Sequence, residues 1–105
     1  MLRETTVVIV GSGLAGVSLA LKLADKGIDC LILTKSQLAS GSSIWAQGGI
    51  AAALDPKDSF EAHIQDTLQA GAGLCRESAV RTVVEGAPEA ISWLRSAGVH
   101  FDGQD

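Results

Sequence analysis

Residues 5–33 read TTVVIVGSGLAGVSLALKLADKGIDCLIL, and this stretch decides the fold of the chain. It begins with a β-branched run over residues 5–10, which fits a strand buried on both faces. A glycine-rich turn follows, after which apolar residues recur on one helical face, namely Leu14, Val17, Ala20, Leu21 and Ala24. Gly27 is placed to end that helix, and residues 28–33 form a second apolar run. Strand, glycine turn, helix and strand within about 30 residues predict a βαβ unit with parallel strands.

The glycine turn reads Gly11-Ser12-Gly13-Leu14-Ala15-Gly16 and fits the pattern GxGxxG between a predicted strand and a predicted helix. Gly11 permits the tight turn, Gly13 lets backbone N–H groups approach a pyrophosphate, and Gly16 lets the helix lie close to the strand. The helix N-terminus adds unpaired N–H donors and a partial positive charge. These features predict that the chain binds a dinucleotide.

The end of the second strand leaves the identity of the dinucleotide open. An acidic residue usually accepts the ribose hydroxyls at this place, but the sequence has Thr34-Lys35 there. The missing acid speaks against a plain NAD site. Lys35 is suited either to facing a 2′-phosphate, as in an NADP site, or to lying beside the adenosine.

Composition argues against several other classes of protein. The chain has 105 residues and a net charge of −4, which gives no electrostatic reason to expect a nucleic-acid partner. Cys30 and Cys75 do not make a disulfide framework, and His63 and His100 lie far apart, so no metal site is predicted. The apolar run over residues 7–24 is interrupted by glycines, serines and a lysine. We therefore predict no membrane span and a cytoplasmic protein.

The middle of the chain combines an aperiodic segment with a predicted helix. Residues 36–55 are rich in Ser, Ala and Gly. A segment this long without structure in a compact domain is usually either functional or wrongly assigned as structureless. Asp58 followed by Glu61 resembles a capping box and predicts a helix start. This helix carries Phe60, Ile64 and Leu68 on one face and is predicted to end at Gly71 and Gly73.

A further helix is predicted to begin at Glu77 or Ser78 and to break or restart at Pro88, which lacks an N–H. Its inward residues are expected to be Val80, Val83, Val84 and Ala87, followed by Ile91 and Leu94 on a last helix that ends at Gly98. Residues 99–101 resemble the start of a strand. Two clear strands leave a doubly wound sheet incomplete, so we expect residues 1–105 to be the amino-terminal part of a Rossmann-like α/β domain.

Residues 42–75 read SSIWAQGGIAAALDPKDSFEAHIQDTLQAGAGLC, and WLxxxGVxF follows at residues 93–101. Together with the glycine turn, these motifs resemble the flavoprotein family of succinate dehydrogenase and fumarate reductase, in particular its members that oxidise L-aspartate. The resemblance covers nearly the whole chain. AQGG after a GxGxxG unit is shared across the wider family, whereas DTLxAGAGLC is much narrower.

The resemblance implies FAD as the cofactor, with its adenine half on the βαβ unit. The pyrophosphate would lie on the turn that begins at Gly11 and closes at Gly16, against Ser12, Gly13, Leu14 and Ala15, with Lys35 near the ribose. A second segment would run beside the ribityl chain and the isoalloxazine, namely Ser42, Ser43, Ile44, Trp45, Ala46, Gln47, Gly48 and Gly49. Paired glycines let main-chain N–H groups come close to a flavin, and Gln47 would be the polar side chain that touches the ring.

Ser42 stands five residues before Gln47, where members of the family with covalent FAD have a histidine. A serine cannot form the histidyl–flavin bond. The resemblance therefore implies FAD held without a covalent link, which favours aspartate oxidation over the respiratory dehydrogenases.

The activity implied is FAD-dependent oxidation of L-aspartate to iminosuccinate, with oxygen or fumarate as the final acceptor and quinolinate synthase as the next enzyme on the route to NAD. The family's catalytic arginine, capping domain and carboxyl-terminal domain would lie beyond residue 105. We therefore expect no catalytic residue within this chain, and no turnover by these residues alone. Two alternatives stay open: a soluble fumarate reductase or succinate dehydrogenase flavoprotein, and a non-catalytic dinucleotide-binding module.

Several single residues carry expectations of their own. His63 is expected to be a surface or capping residue and Trp93 a core residue. Trp45 is expected either in the core beside the cofactor or stacked on it. Arg81 and Glu85 are expected to form a solvated pair one helical turn apart.

Overall fold

The computed structural model describes residues 2–38, 40–46 and 48–102. The chain divides into two compact units, residues 1–48 and residues 49–105. The first unit contains strand β1, helix α1, strand β2 and helix α2, which span Val7–Val10, Leu14–Asp25, Cys30–Leu33 and Ser42–Trp45. The second contains helices α3 and α4, which span Phe60–Ala70 and Glu77–Ser96. None of the helices in the described residues combines the length and apolar character that a membrane span needs.

The first unit is the predicted βαβ unit. Strands β1 and β2 are parallel, with residue pairs running from Val7 and Cys30 to Val10 and Leu33. Helix α1 contacts both strands, and Gly27 takes the predicted helix-ending conformation at φ +68°. The α/β prediction is thus confirmed at the level of this two-stranded parallel sheet, while the doubly wound sheet stays a prediction.

Strand β1 is less buried than its sequence indicates. Ile9 is buried, but Val8 and Val10 are 53% and 84% exposed. The prediction of burial on both faces is therefore wrong within this chain. The reason is that helix α1 and strand β2 together cover only part of the surface of β1.

The less exposed face of helix α1 consists mostly of small residues, with one leucine. Its half-buried positions are Gly16, Ser18, Ala20 and Leu23. The predicted apolar face is exposed instead, at Leu14, Val17 and Leu21. Small residues let the helix axis approach the sheet closely. The face with the larger side chains points away from the sheet and is exposed.

The core of the second unit lies where α3 meets α4. Ile64 is fully buried, and Val84 and Ile91 are each 4% exposed. Val83 is exposed, so its predicted inward position is wrong. Trp93 is only half-buried.

Helix α3 begins at a serine cap rather than at the predicted aspartate. The hydroxyl oxygen of Ser59 accepts a hydrogen bond from the N–H of Ala62 at 3.0 Å, which is the geometry of an N-cap. Asp58 Oδ1 instead accepts from the N–H of Ser59 at 2.8 Å. The predicted cap at Asp58 is therefore wrong by one residue. The Asp58 carboxylate binds the N–H of the capping residue Ser59 and not an N–H of the helix itself.

Helix α4 runs without interruption through Pro88, so the predicted break is wrong. A proline inside a helix costs about 3 kcal/mol. Val84 and Ile91, on either side of it, are both buried in the unit's core. Burying each such side chain contributes about 1.5–3 kcal/mol, which offsets the proline. Gly98, at φ +98°, ends the helix as predicted, but residues 99–101 do not form a strand.

The turn between the two helices depends on Gly71. A Cβ at this position would overlap Cys75 Sγ and would lie 3.2 Å from Thr67 O. The same sulfur is 3.7 Å from Thr67 O, to which its thiol donates. The predicted end of α3 at Gly71 and Gly73 is confirmed, since Gly71 is the C-cap and Gly73 has φ +86°.

We expect Gly71→Ala to lower the free energy of unfolding by about 1–3 kcal/mol, because the added methyl group must displace a packed sulfur. Urea denaturation followed by far-UV circular dichroism measures the change. Gly86→Ala is the matched control, since Gly86 lies inside α4 with no atom within 4 Å of its added Cβ. That variant should gain up to about 1 kcal/mol from helix propensity. Equal effects of the two substitutions would contradict the steric argument.

Arg81 connects the two helices through carboxylates. Its guanidinium lies 3.1 Å from Glu61 on α3, 3.2 Å from Glu85 and 3.6 Å from Glu77. The predicted solvated pair of Arg81 and Glu85 is confirmed. Hydrogen bonds from Gln65 and then from Arg81 lower the pKa of the Glu61 carboxyl. Hydrogen bonds to Glu61 and Glu85 raise the pKa of Arg81.

Glu61→Gln should lower the urea midpoint slightly at pH 7 and in low salt, since exposed ion pairs contribute little. A carboxyl with a lowered folded-state pKa stabilises the fold above its unfolded-state pKa. That contribution is lost as the pH falls through the folded-state pKa. The difference between variant and wild type should therefore disappear in acid. Glu89→Gln, an exposed position on α4, is the control, and an equal shift there would rule out a specific role for Glu61.

Candidate cofactor-binding site

The glycine turn has the conformation that its sequence predicts. Gly11 has φ +114°, a region that disfavours residues with a Cβ. A Cβ on Gly16 would overlap Gly11 O and would lie 3.3 Å from Ile9 Cγ2. Gly16 is therefore required for helix α1 to lie against the turn. The N–H of Gly11 donates to Leu33 O at 2.8 Å, which joins the turn to the end of β2.

The N-terminus of α1 presents backbone donors beside this turn. The helix begins with Gly13 as its N-cap, and the N–H of Val17 donates to Gly13 O at 3.0 Å. The N–H of Leu14 donates to Ser43 Oγ at 3.1 Å. Within the described residues nothing accepts a hydrogen bond from the N–H groups of Ala15 and Gly16. The first turn has no acidic residue, so its positive end is suited to an anion.

A cleft of about 260 Å³ opens where the glycine turn meets the end of β2. Its walls include Gly11, Gly13, Thr34, Lys35 and Gly41. Among the described residues no carboxylate lines it, which agrees with the missing acid at the strand end. A lysine and main-chain donors make this cleft suited to a ligand that carries negative charge.

Ser12 connects the glycine turn to the segment that follows β2. Its hydroxyl donates toward Thr34 Oγ1 at 3.0 Å and Leu38 O at 3.3 Å. Because a hydroxyl has one proton, it serves these two acceptors in turn. The sequence did not predict either contact. Leu38 lies in the aperiodic segment 36–55, and nothing in the sequence marks Thr34 as a partner of Ser12.

A second cleft of about 260 Å³ lies on the helix side of the turn. Its walls include Ser12, Gly13, Leu14, Val17, Ser43 and Ile44. Ser12, Gly13 and Gly41 line both clefts. The structure thus brings together the glycine turn, Lys35 and Ser43 along one continuous surface of the first unit.

The predicted flavin-side segment begins with a short helical turn, α2, at Ser42–Trp45, which the sequence did not predict. Trp45 is 84% exposed, so core burial is excluded within this chain. Added Cβ atoms on Gly48 and Gly49 would meet nothing within 4 Å. The expected contact of Gln47 lies outside the described residues. The roles of residues 42–49 toward a flavin stay predictions.

A parallel βαβ unit with a GxGxxG turn, a sterically required third glycine and free N–H donors defines a dinucleotide-binding fold. The sequence matches the family described as FAD binding domain over residues 6–105. The chain belongs to this family, and its cofactor is FAD. The open donors and the glycine turn fit the pyrophosphate of that group.

Curated relatives and solved structures agree with this family. The chain is 54% identical over 95 residues to L-aspartate oxidase of Pseudomonas aeruginosa. This match covers 90% of this chain and 18% of the relative. It is 48% identical over 103 residues to L-aspartate oxidase of Vibrio cholerae, covering 98% of this chain and 19% of the relative. The chain therefore spans about a fifth of the length of these relatives.

Among solved structures, Mycobacterium smegmatis Sdh1 superposes with a TM-score of 0.87 at 28% identity, over 98% of this chain and 18% of that one. An E. coli quinol fumarate reductase mutant superposes with a TM-score of 0.84 at 28% identity, over 97% and 18%. The predicted resemblance to the succinate dehydrogenase and fumarate reductase flavoproteins is confirmed.

Gly16→Ala should weaken FAD binding by tenfold or more, because the methyl group pushes helix α1 and its donors away from the turn. Titration of the flavin-free protein with FAD, followed by flavin fluorescence, measures this. Gly86→Ala makes the same chemical change in open space and should leave the affinity unchanged. Wild-type affinity in Gly16→Ala would show that the tight contact at Gly16 is not needed for binding.

Proposed function

We propose that this chain forms part of the FAD site of an enzyme that oxidises L-aspartate to iminosuccinate. The observation that carries the proposal is the identity of 54% over 95 residues to an L-aspartate oxidase. That similarity extends through the glycine turn and through the segment that contains Ser42 and Ser43. Because the chain spans about a fifth of such relatives, the activity of the whole protein is inferred.

Within this proposal the chain's own residues bind and orient the cofactor. The donors at the start of α1 hold the pyrophosphate, and Lys35 lies beside the adenosine. Residues 42–49 follow the ribityl chain toward the isoalloxazine. FAD, when bound, supplies the acceptor for the hydride that leaves the α-carbon of aspartate. Oxygen or fumarate is the proposed final acceptor.

Ser42 supports noncovalent binding. It is the first residue of α2 and is exposed, and a serine cannot form the histidyl–flavin bond of relatives with tethered FAD. The proposed cofactor is therefore released when the protein unfolds.

The domain content of the protein, its place of action and the enzyme that uses its product are also proposals. We infer that residues 1–105 are the amino-terminal part of an FAD-binding domain, and that a capping domain, a carboxyl-terminal domain and the catalytic arginine come from outside them. The proposed place of action is the cytoplasm, with quinolinate synthase using the product. The short coverage of the relatives supports the first of these points.

The protein that contains this chain should purify yellow, and acid precipitation should release all of its flavin into the supernatant. Adding L-aspartate in air should produce hydrogen peroxide, and adding succinate should not. A colourless protein that cannot be reconstituted with FAD would contradict the proposal.

A soluble fumarate reductase or succinate dehydrogenase flavoprotein is the second candidate. Mycobacterium smegmatis Sdh1 and the E. coli quinol fumarate reductase mutant share the fold of this chain at 28% identity. Turnover of succinate or fumarate without any turnover of L-aspartate would favour it. Flavin binding without any turnover would favour a non-catalytic dinucleotide-binding module instead.

A further inference from the structure

The cleft at the end of strand β2 carries a positive charge that FAD itself does not require. In dinucleotide-binding folds an acid at the end of the second strand accepts the 2′-hydroxyl of the adenosine ribose. This chain has Thr34 and Lys35 at that place, and both residues line the cleft. FAD has a hydroxyl on this ribose carbon and phosphates only in its pyrophosphate. The cation therefore has no charged partner on the cofactor at the ribose.

Lys35 also has no carboxylate partner in the chain to neutralise it. Among the described residues it forms no ion pair, and none of those that line the cleft is acidic. Lys35 is exposed, so its ammonium group is able to approach a ligand in the cleft. A site of this kind favours an additional anionic group on the ligand.

Thr34 supplies a second donor beside the lysine. Its hydroxyl oxygen accepts a hydrogen bond from Ser12 Oγ at 3.0 Å, and a hydroxyl that accepts still has its own proton to donate. Among the described residues no acceptor for that proton is found. Where an NAD site has an acceptor, this chain therefore presents a hydroxyl donor and a cation.

Local hydrogen bonds hold the wall of the cleft next to Lys35. The N–H and the hydroxyl of Ser40 both donate to Gln37 O, at 3.1 Å and 2.7 Å. The hydroxyls of Ser36 and Ser40 are hydrogen-bonded to each other, and both residues line the cleft. This wall is thus formed before any ligand binds, which lowers the cost of ordering it around a phosphate.

We propose that this cleft binds adenosine nucleotides with a phosphate on the ribose 2′ oxygen, the group that distinguishes NADP from NAD. Lys35 pairs with the 2′-phosphate, and Thr34 donates its hydroxyl proton to it. The open N–H groups of Ala15 and Gly16 take the 5′-phosphates. Such a nucleotide occupies the place of the adenosine half of FAD and competes with FAD for the flavin-free protein. This ligand goes beyond the proposed function, whose cofactor has no 2′-phosphate.

The test measures how strongly nucleotides displace FAD from the flavin-free protein in low salt, followed by flavin fluorescence. NADP should compete about tenfold or more better than NAD, the gain expected for a hydrogen bond between charged groups. Adenosine 2′,5′-bisphosphate should likewise compete better than AMP, and better than adenosine 3′,5′-bisphosphate. Added salt should reduce this preference, because exposed charges are screened.

Substitutions at position 35 separate the charge from the shape of the site. Lys35→Met should remove most of the preference for NADP over NAD, and Lys35→Arg should retain it. Because the preference is a ratio for two competitors, a change in FAD affinity itself does not enter it. Lys57→Met, at an exposed lysine of the second unit, is the matched control and should leave the ratio unchanged.

Thr34→Asp restores the acid that NAD sites have at this place. It should reverse the preference, because a carboxylate repels the 2′-phosphate while it can still accept from Ser12. Equal competition by NADP and NAD in the wild type, or by the two bisphosphates, would overturn the proposal. A preference that persists in Lys35→Met, or failure of NADP to displace FAD, would also overturn it. A protein that binds NADP in preference to NAD but binds no FAD would instead contradict the proposed function.

Discussion

The close approach of helix α1 to the carbonyl of Gly11 is the constraint on which the first unit depends. No side chain fits between the two, so position 16 must be glycine. This contact places the start of the helix beside the ends of β1 and β2. The clefts, the open N–H groups and the contact with Ser43 all follow from that placement.

Hydrogen bonds of serine and threonine hydroxyls connect the segment after β2 to the glycine turn and to the start of α1. Ser12 reaches Thr34 and Leu38, and Ser43 reaches Leu14. These contacts join residues that are 22 to 29 positions apart in the sequence. The GxGxxG turn could be read from the sequence because it is local and its glycines have defined roles. The Ser43 contact could not, because a hydroxyl in an aperiodic segment gives no signal of its partner.

In the second unit, too, the sequence predicts local features but not tertiary contacts. Its helices were foreseen from apolar spacing, and Gly71 and Gly98 end them where glycines are expected. Pro88 was read as a break because its local cost is clear, whereas the burial of Val84 and Ile91 that offsets it is a tertiary effect. The apolar face of α1 was misassigned for a related reason: spacing identifies an apolar stripe but not the surface that meets it.

The positions of the tryptophans give this fold its own optical reporters. The chain has two tryptophans and no tyrosine, and they fall one in each compact unit. Trp45 is 84% exposed and Trp93 is half-buried. An indole in water emits at longer wavelength than one shielded from it. Within residues 1–105, the red edge of the indole emission therefore reports on Trp45 in the first unit and the blue edge on Trp93 in the second.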